Sequence, residues 1–218
     1  MDGNGAVTTG PIATYAGPIS MGLPGVTAAP GDHVCAFYRG PVQRDEVLLP
    51  FLREGLLAGD KVICVMDDPD TERVRGPLAA EVDVELSSRT GQLNLLCSDR
   101  AYFPGGYFAA DAMIDFWERG VDDAVRREGY GFVRAVGEMT WALRDLPGVE
   151  HLVSYESLLN RFIPRYPLVS LCLYDLERFT DGQVLMGLLR THPKVLLSGQ
   201  LLENPWFTEP DEYLADLG

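Results

Sequence analysis

The chain has 218 residues, of which 46% are hydrophobic, and this is enough to build one sizeable α/β domain. Acidic residues outnumber basic ones by 32 to 18, so the formal net charge is -14. Because this charge repels phosphate backbones and anionic membrane surfaces, the composition argues against nucleic acid as a direct partner.

No apolar run approaches the roughly 20 residues that span a bilayer, and no signal segment is visible. Four widely spaced cysteines favour reduced core residues, and together these features predict a cytoplasmic protein.

Residues 1–30 contain many Gly, Pro, Ala and Thr residues and little hydrophobic periodicity. This composition predicts a flexible N-terminal arm, followed by a single domain over residues 31–218. The alternative for the arm is that Ile12, Tyr15 and Ile19 dock on a neighbouring surface.

Beyond the arm, short apolar runs alternate with amphipathic segments. Strands are predicted over residues 32–38, 61–66, 82–86, 93–97, 132–136, 168–174 and 194–197. Helices are predicted over residues 42–58, 70–80, 108–128, 149–163 and 182–190. This alternation predicts a three-layer α/β sandwich with a mostly parallel sheet, in which Ile63, Val133 and Leu171 lie on inner strands.

Three of the predicted strands are followed by an acidic residue, namely Asp67, Glu138 and Asp175. Because parallel strands end at one edge of a sheet, we expect these carboxylates to converge on a crevice near the end of the first strand, at Tyr38. Acids at strand ends also serve as helix caps and structural hydrogen-bond acceptors, which is the alternative for each of them alone.

The run that ends at Asp175 resembles the metal-binding strand of P-loop nucleotidases, and Glu138 lies where those proteins often have a water-activating acid. A degenerate ATPase or a metal-dependent hydrolase is therefore an alternative function. However, the chain has no Gly-x-x-x-x-Gly-Lys-Ser/Thr motif, and the first strand is followed by Arg39-Gly40-Pro41. We therefore expect nucleotide to bind weakly or not at all.

His33 and Cys35 share one face of the first predicted strand, because side chains alternate along a strand. They could ligate a metal or haem, or form a thiol and imidazole pair. A zinc site needs further ligands, which would have to come from His151, His192 or a strand-end acid. The alternative is that both residues belong to the core.

An aromatic turn follows the fourth predicted strand, with Tyr102, Phe103 and Tyr107 around Pro104-Gly105-Gly106. This turn could form a lid. A ligand sensor would have an enclosed pocket lined by these three residues together with Phe37 and Trp141.

Several segments together resemble the MEDS family, the sensory domain named for methanogen and methylotroph proteins and for the dichloromethane-responsive repressor. The resemblance covers residues 30–215. It rests on Asp32-His33-Val34-Cys35-Ala36-Phe37-Tyr38, Leu49-Pro50-Phe51-Leu52-Arg53-Glu54-Gly55-Leu56, Ala58-Gly59-Asp60-Lys61 and Gly137-Glu138-Met139-Thr140-Trp141.

The resemblance implies a RecA-like fold without a P-loop and a role as a sensor of small molecules, such as hydrocarbon derivatives, in signalling or transcription. It also implies that the family's His-x-Cys corresponds to His33 and Cys35. No output domain is visible in the sequence, so the signal would pass to a separate protein or through self-association. No cofactor is identified by the sequence.

The RecA-like resemblance implies that the first strand and the Glu138 strand lie close enough for their ends to share a crevice. We therefore expect His33 and Glu138 to face a common cavity at the carboxyl edge of the sheet. The full set of candidate ligand-binding residues is His33, Cys35, Phe37, Tyr38, Asp67, Tyr102, Phe103, Tyr107, Glu138, Trp141 and Asp175.

Overall fold

A computed structural model of the chain describes residues 17–67 and 70–216, without the side chains of residues 70 and 71. Nine strands are present in this part of the chain. They are β1 (Ile19–Ser20), β2 (Thr27–Ala28), β3 (His33–Tyr38), β4 (Lys61–Met66), β5 (Leu93–Cys97), β6 (Val133–Glu138), β7 (Leu168–Asp175), β8 (Lys194–Leu197) and β9 (Gln200–Glu203).

Eight α-helices connect or flank these strands. They are α1 (Gly40–Ala58), α2 (Asp70–Ala79), α3 (Val84–Arg89), α4 (Ser98–Tyr102), α5 (Ala110–Arg126), α6 (Leu152–Phe162), α7 (Gly182–Thr191) and α8 (Pro210–Asp216). A 3-10 helix over Met139–Leu143 follows β6, and two shorter 3-10 turns, Val149–His151 and Ile163–Arg165, flank α6.

The main sheet has seven strands in the order β5-β4-β6-β7-β3-β8-β9, and its pairs are parallel except for β8 with β9. The predicted mostly parallel α/β sheet is therefore confirmed, with Ile63, Val133 and Leu171 on inner strands. These strands are buried along their whole length because helices cover both faces.

Two apolar clusters lie on opposite faces of this sheet. The first contains Cys35 and Ala135 from the strands, packed against α5, α6 and α7. The second contains Ala36 and Val136, packed against α1 and α2. We call these the α6 face and the α1 face. Alternate side chains of each strand enter opposite clusters, as strand geometry requires.

Residues 17–30 differ from the predicted flexible arm over residues 1–30. They form the β1–β2 hairpin on the α1 face, where Ile19 and Met21 are only 3% and 1% exposed. The arm prediction is therefore wrong for this segment, because its apolar residues supply part of the core. Ile12 and Tyr15 lie outside the described residues.

Two further differences concern local structure. Residues predicted as a strand over 82–86 begin α3 instead, because Asp83 caps the helix by accepting a hydrogen bond from the Leu86 amide at 2.8 Å. Strand β9 was not predicted. It pairs with β8 through a tight turn in which Ser198 has φ 50° and Gly199 has φ 75°.

Within the described residues, no helix has the length and apolar character needed to cross a membrane.

Candidate functional site

A buried polar network lies at the carboxyl edge of the sheet, on the α1 face, around Glu138. Glu138 ends β6 and is 1% exposed. Its carboxylate accepts hydrogen bonds from the Tyr38 hydroxyl at 2.9 Å and from the Thr140 hydroxyl at 2.6 Å. Burial raises the pKa of Glu138, although the hydrogen bonds from Thr140 and Tyr38 oppose this effect. Burial and the neighbouring Glu138 likewise raise the pKa of Tyr38.

Asp67 extends this network across the sheet edge. Its carboxylate accepts hydrogen bonds from Ser98 and, at 2.9 Å, from Arg144, and it lies 3.2 Å from the Thr140 hydroxyl. Because Thr140 has a single hydroxyl proton, it can donate to only one of its two carboxylate neighbours at a time. The structure thus brings three of the predicted residues together: Tyr38, Asp67 and Glu138.

The titration of Glu138 leads to a testable prediction. Because its folded pKa is raised above 4.5, its contribution to stability is full below pH 4.5 and is lost as the pH rises through the raised value. We expect Glu138→Gln to remove this part of the pH dependence while changing the stability at low pH by less than about 1 kcal/mol. Urea unfolding at a series of pH values measures this. The control is Glu85→Gln at a carboxylate that is 88% exposed, and identical pH profiles for the two variants would contradict the prediction.

Asp175, the third predicted acid, has a structural role at the same edge. Its carboxylate accepts hydrogen bonds from the amides of Gly40 at 3.1 Å and Glu177 at 2.9 Å. Gly40 begins α1, so Asp175 takes the position at the helix N-terminus where a nucleotide phosphate would lie in a P-loop protein. This arrangement favours the helix-capping alternative for Asp175.

Three of the five predicted aromatic residues, Tyr102, Phe103 and Trp141, pack against one another. Trp141 is fully buried, stacks on Tyr102 with ring centroids 4.3 Å apart, and contacts Phe103 and Phe108. Tyr107 is 55% exposed and lines, together with Tyr102, a cleft of about 250 Å³. Phe37 lines a separate cleft of about 460 Å³ next to Arg39 and the β8–β9 turn. The expected single pocket formed by all five residues is therefore wrong, because Phe37 and Tyr107 line separate clefts and Trp141 is closed in by Tyr102 and Phe103.

A different cleft of about 330 Å³ opens next to these rings, between the 3-10 helix after β6, the start of α6 and the start of α7. We call it the α6–α7 cleft. It is lined by Ala142, Leu143, Val149, Glu150, Leu152, Val153, Arg178, Phe179, Thr180, Asp181 and Val184. Sequence analysis did not select any of these residues. They come from three separate segments, and their apolar side chains look like ordinary helix stripes in the sequence.

His33 lies far from the Glu138 network. It is the first residue of β3 and pairs with Ser170, whereas Glu138 is the last residue of β6 and pairs with Leu173. The two side chains also project from opposite faces, because His33 contacts Cys172 on the α6 face. The expectation of a common cavity for His33 and Glu138 is therefore wrong. Cys35 does share the α6 face with His33, as the strand period predicted.

The predicted metal-binding pair of His33 and Cys35 is also wrong, because another thiol lies next to His33. The thiol next to His33 is Cys172, whose sulfur lies 3.3 Å from His33 Nε2. His192, one of the predicted additional ligands, stacks against His33 with ring centroids 4.1 Å apart. His151 is exposed. Glu156 completes this buried group and was missed by sequence analysis. The sequence feature that could have identified Glu156 is that it is a lone acid among Leu152, Tyr155 and Leu159 on the apolar stripe of α6.

Comparisons with known proteins agree with this architecture. The profile of the MEDS family, described as the methanogen/methylotroph, DcmR sensory domain, matches residues 32–193. The transcriptional repressor DcmR of Methylorubrum extorquens is 31% identical over 166 residues, which cover 75% of this chain and 59% of the repressor. The chain therefore matches less than two thirds of the repressor's length. Among solved structures, a KaiC-like protein of Pyrococcus horikoshii OT3 superposes with a TM-score of 0.61 at 14% identity, covering 83% of this chain and 79% of that one. This likeness confirms the RecA-like fold.

Proposed function

Because the chain belongs to the MEDS family of sensory domains, we propose that it senses a small molecule in transcriptional regulation or signal transduction and passes the signal to a separate protein. The similarity to a transcriptional repressor supports the regulatory role. The cleft geometry supports a ligand that is small and largely apolar, such as a hydrocarbon derivative.

The α6–α7 cleft is the ligand site that we propose, and its size, position and lining support this choice. About 330 Å³ is in the usual range for small-molecule pockets. The cleft lies beyond the carboxyl ends of β6 and β7, where α/β sheets commonly bind ligands. Leu143, Phe179 and Val184 offer apolar surface, while Arg178 and Asp181 lie at the same cleft and could orient a polar group of the ligand.

The 3-10 helix Met139–Leu143 connects this cleft to the Glu138 network. Leu143 lines the cleft, whereas Thr140, one turn earlier, contacts both Glu138 and Asp67. Arg144, which follows the helix, binds Asp67 and Asp99. A ligand that shifts this helix must therefore rearrange the hydrogen bonds at the carboxyl edge. This gives a physical route from the cleft to Asp67, the residue that follows β4.

Several observations favour a binding role over the alternative of ATP hydrolysis. Asp175 accepts a hydrogen bond from the Gly40 amide at the start of α1. The Glu177 carboxylate lies close to where a side chain at position 40 would project. Two acids at this position repel phosphate and replace the cradle that a nucleotide would need. The carboxylates of Glu138 and Asp67 are likewise held by protein groups.

Filling the cleft tests the proposed ligand site. We expect Val184→Trp to abolish the thermal stabilisation given by small alcohols, aldehydes or halogenated methanes that raise the Tm of the parent chain, because an indole takes up much of the cleft. Differential scanning fluorimetry with such a panel provides the measurement. Met186→Trp is the matched control, since Met186 lies on the same helix, is 46% exposed and does not line the cleft. Equal responses in the two variants would place the ligand elsewhere.

A further inference from the structure

Four buried side chains converge at one point on the α6 face, and none of them lines the proposed ligand cleft. His33, Glu156, Cys172 and His192 each offer one ligand atom, and these atoms all lie within 4.8 Å of one another. None of the four residues is more than 2% exposed. They come from β3, α6, β7 and the residue after α7, so only the folded chain assembles them. We call this group the His-Glu-Cys-His cluster.

We propose that the His-Glu-Cys-His cluster is a closed structural metal site that holds one divalent transition metal, with zinc as the best match. Tetrahedral zinc binds imidazole nitrogen and carboxylate oxygen at about 2.0–2.2 Å and thiolate sulfur at about 2.3 Å. These bond lengths place neighbouring ligand atoms about 3.3–3.6 Å apart at the tetrahedral angle.

Four of the six separations are close to that tetrahedral pattern, and all six are within 4.8 Å. Glu156 Oε2 lies 3.2 Å from His33 Nε2 and 3.2 Å from His192 Nε2. Cys172 Sγ lies 3.3 Å from His33 Nε2 and 3.5 Å from Glu156 Oε2. Four of the six edges of the ligand tetrahedron are thus close to the values that a zinc ion would impose.

The second ring nitrogen of each histidine is already bound to an acceptor. His192 Nδ1 donates to the Leu188 carbonyl at 2.8 Å. His33 Nδ1 donates to Asn160 Oδ1 at 3.1 Å, and the Asn160 orientation is set because its amide nitrogen donates to carbonyl groups, including that of Thr191 at 2.7 Å. Metal-binding histidines typically have such partners, which leave the Nε2 lone pair free for the metal.

With both imidazoles neutral, the buried Glu156 carboxylate has no positive partner in this cluster. If each Nδ1 carries the proton, both Nε2 lone pairs face the same carboxylate oxygen of Glu156. His192 Nε2 is fully buried, and its 3.2 Å contact with Glu156 Oε2 is not aligned as a hydrogen bond. Protonating both rings would place two cations side by side in the core, since the ring centroids are only 4.1 Å apart.

A divalent cation resolves this conflict. On binding, the Cys172 thiol loses its proton to solvent and coordinates as a thiolate. One thiolate, one carboxylate and a divalent cation sum to zero charge, which is favourable for a fully buried site. The Tyr174 hydroxyl donates a hydrogen bond to the other oxygen of Glu156 at 2.5 Å, which fixes the orientation of the carboxylate. Since all four ligands are buried, metal loading is coupled to folding.

Cobalt substitution of the full chain tests this proposal. The chain is unfolded in guanidinium with a chelator and then refolded with Co²⁺ or Zn²⁺. We expect about one metal ion per chain by mass spectrometry and, with Co²⁺, the visible absorption of a tetrahedral site with a thiolate charge-transfer band. Cys172→Ser should lose the charge-transfer band. Cys35→Ser is the matched control, because Cys35 is equally buried and directly opposite Cys172 on the neighbouring strand, and it should keep the band.

Three results would overturn the proposal. They are no metal retained after refolding, a charge-transfer band that persists in Cys172→Ser, and a band that depends on Cys35 instead. If Cys172→Ser does not fold, the parent chain decides the matter. Refolding with Zn²⁺ should raise its Tm by more than about 5 °C relative to refolding with chelator, and equal Tm values would refute the site. Ligand binding in the α6–α7 cleft is measured separately, so either proposal can fail alone.

Discussion

Replacing Arg134 with Met should lower the free energy of unfolding by about 3–5 kcal/mol, because it leaves Asp60 as an unpaired charge at a nearly dry position. Arg134 is 2% exposed, and its Nε donates to Asp60 at 2.8 Å. Its Nη1 donates to the Ser20 carbonyl at 2.7 Å, and its guanidinium lies 4.9 Å from the centre of the Phe51 ring. One side chain therefore joins β6, α1 and the β1–β2 hairpin.

A second substitution and a surface control identify the cause of this loss. Adding Asp60→Asn to Arg134→Met should restore part of the stability, since the orphaned charge is then removed. Arg126→Ala breaks an ion pair with Asp122 on the solvent side of α5 and should cost about 0.5 kcal/mol or less. Urea unfolding gives all three values. A double variant that is less stable than Arg134→Met would contradict the charge argument.

Replacing Trp141 with Ala should cost about 3–5 kcal/mol, because it empties the centre of the aromatic cluster. The indole is fully buried and contacts the rings of Tyr102, Phe103 and Phe108, with centroid distances of 4.3–5.6 Å. Its nitrogen has no hydrogen-bond partner among the described residues, so the loss should come almost wholly from packing.

Two other tryptophan substitutions serve as comparisons for this prediction. Trp141→Phe should lose less than the alanine variant, because a ring still contacts Tyr102. Trp206→Ala should change stability by no more than about 0.5 kcal/mol, since Trp206 is 58% exposed. Chemical unfolding curves of the three variants test this ranking. A loss below 1 kcal/mol in Trp141→Ala would show that the cluster can collapse around the missing ring.

The positions of the strands and most helices followed from local patterns. Buried inner strands such as Leu168–Asp175 have continuous apolar runs, and helices such as Ala110–Arg126 have one apolar stripe, so periodicity was sufficient. Where a single side chain decided the local structure, periodicity failed. The Asp83 cap turned an apolar alternation into α3, and the hairpin at Ile19 depended on contacts with a distant face.

Strand period and the shared direction of parallel strands are local rules. They are therefore enough to predict the α/β class, the inner strands and the placement of Glu138, Asp67 and Tyr38 at one edge. Which distant side chains meet depends on how the helices pack on the sheet. His33 and Glu138 were separated because they occupy opposite ends and opposite faces of their strands. His33 instead met Glu156, Cys172 and His192, since helix packing against the α6 face sets that contact and no local pattern encodes it.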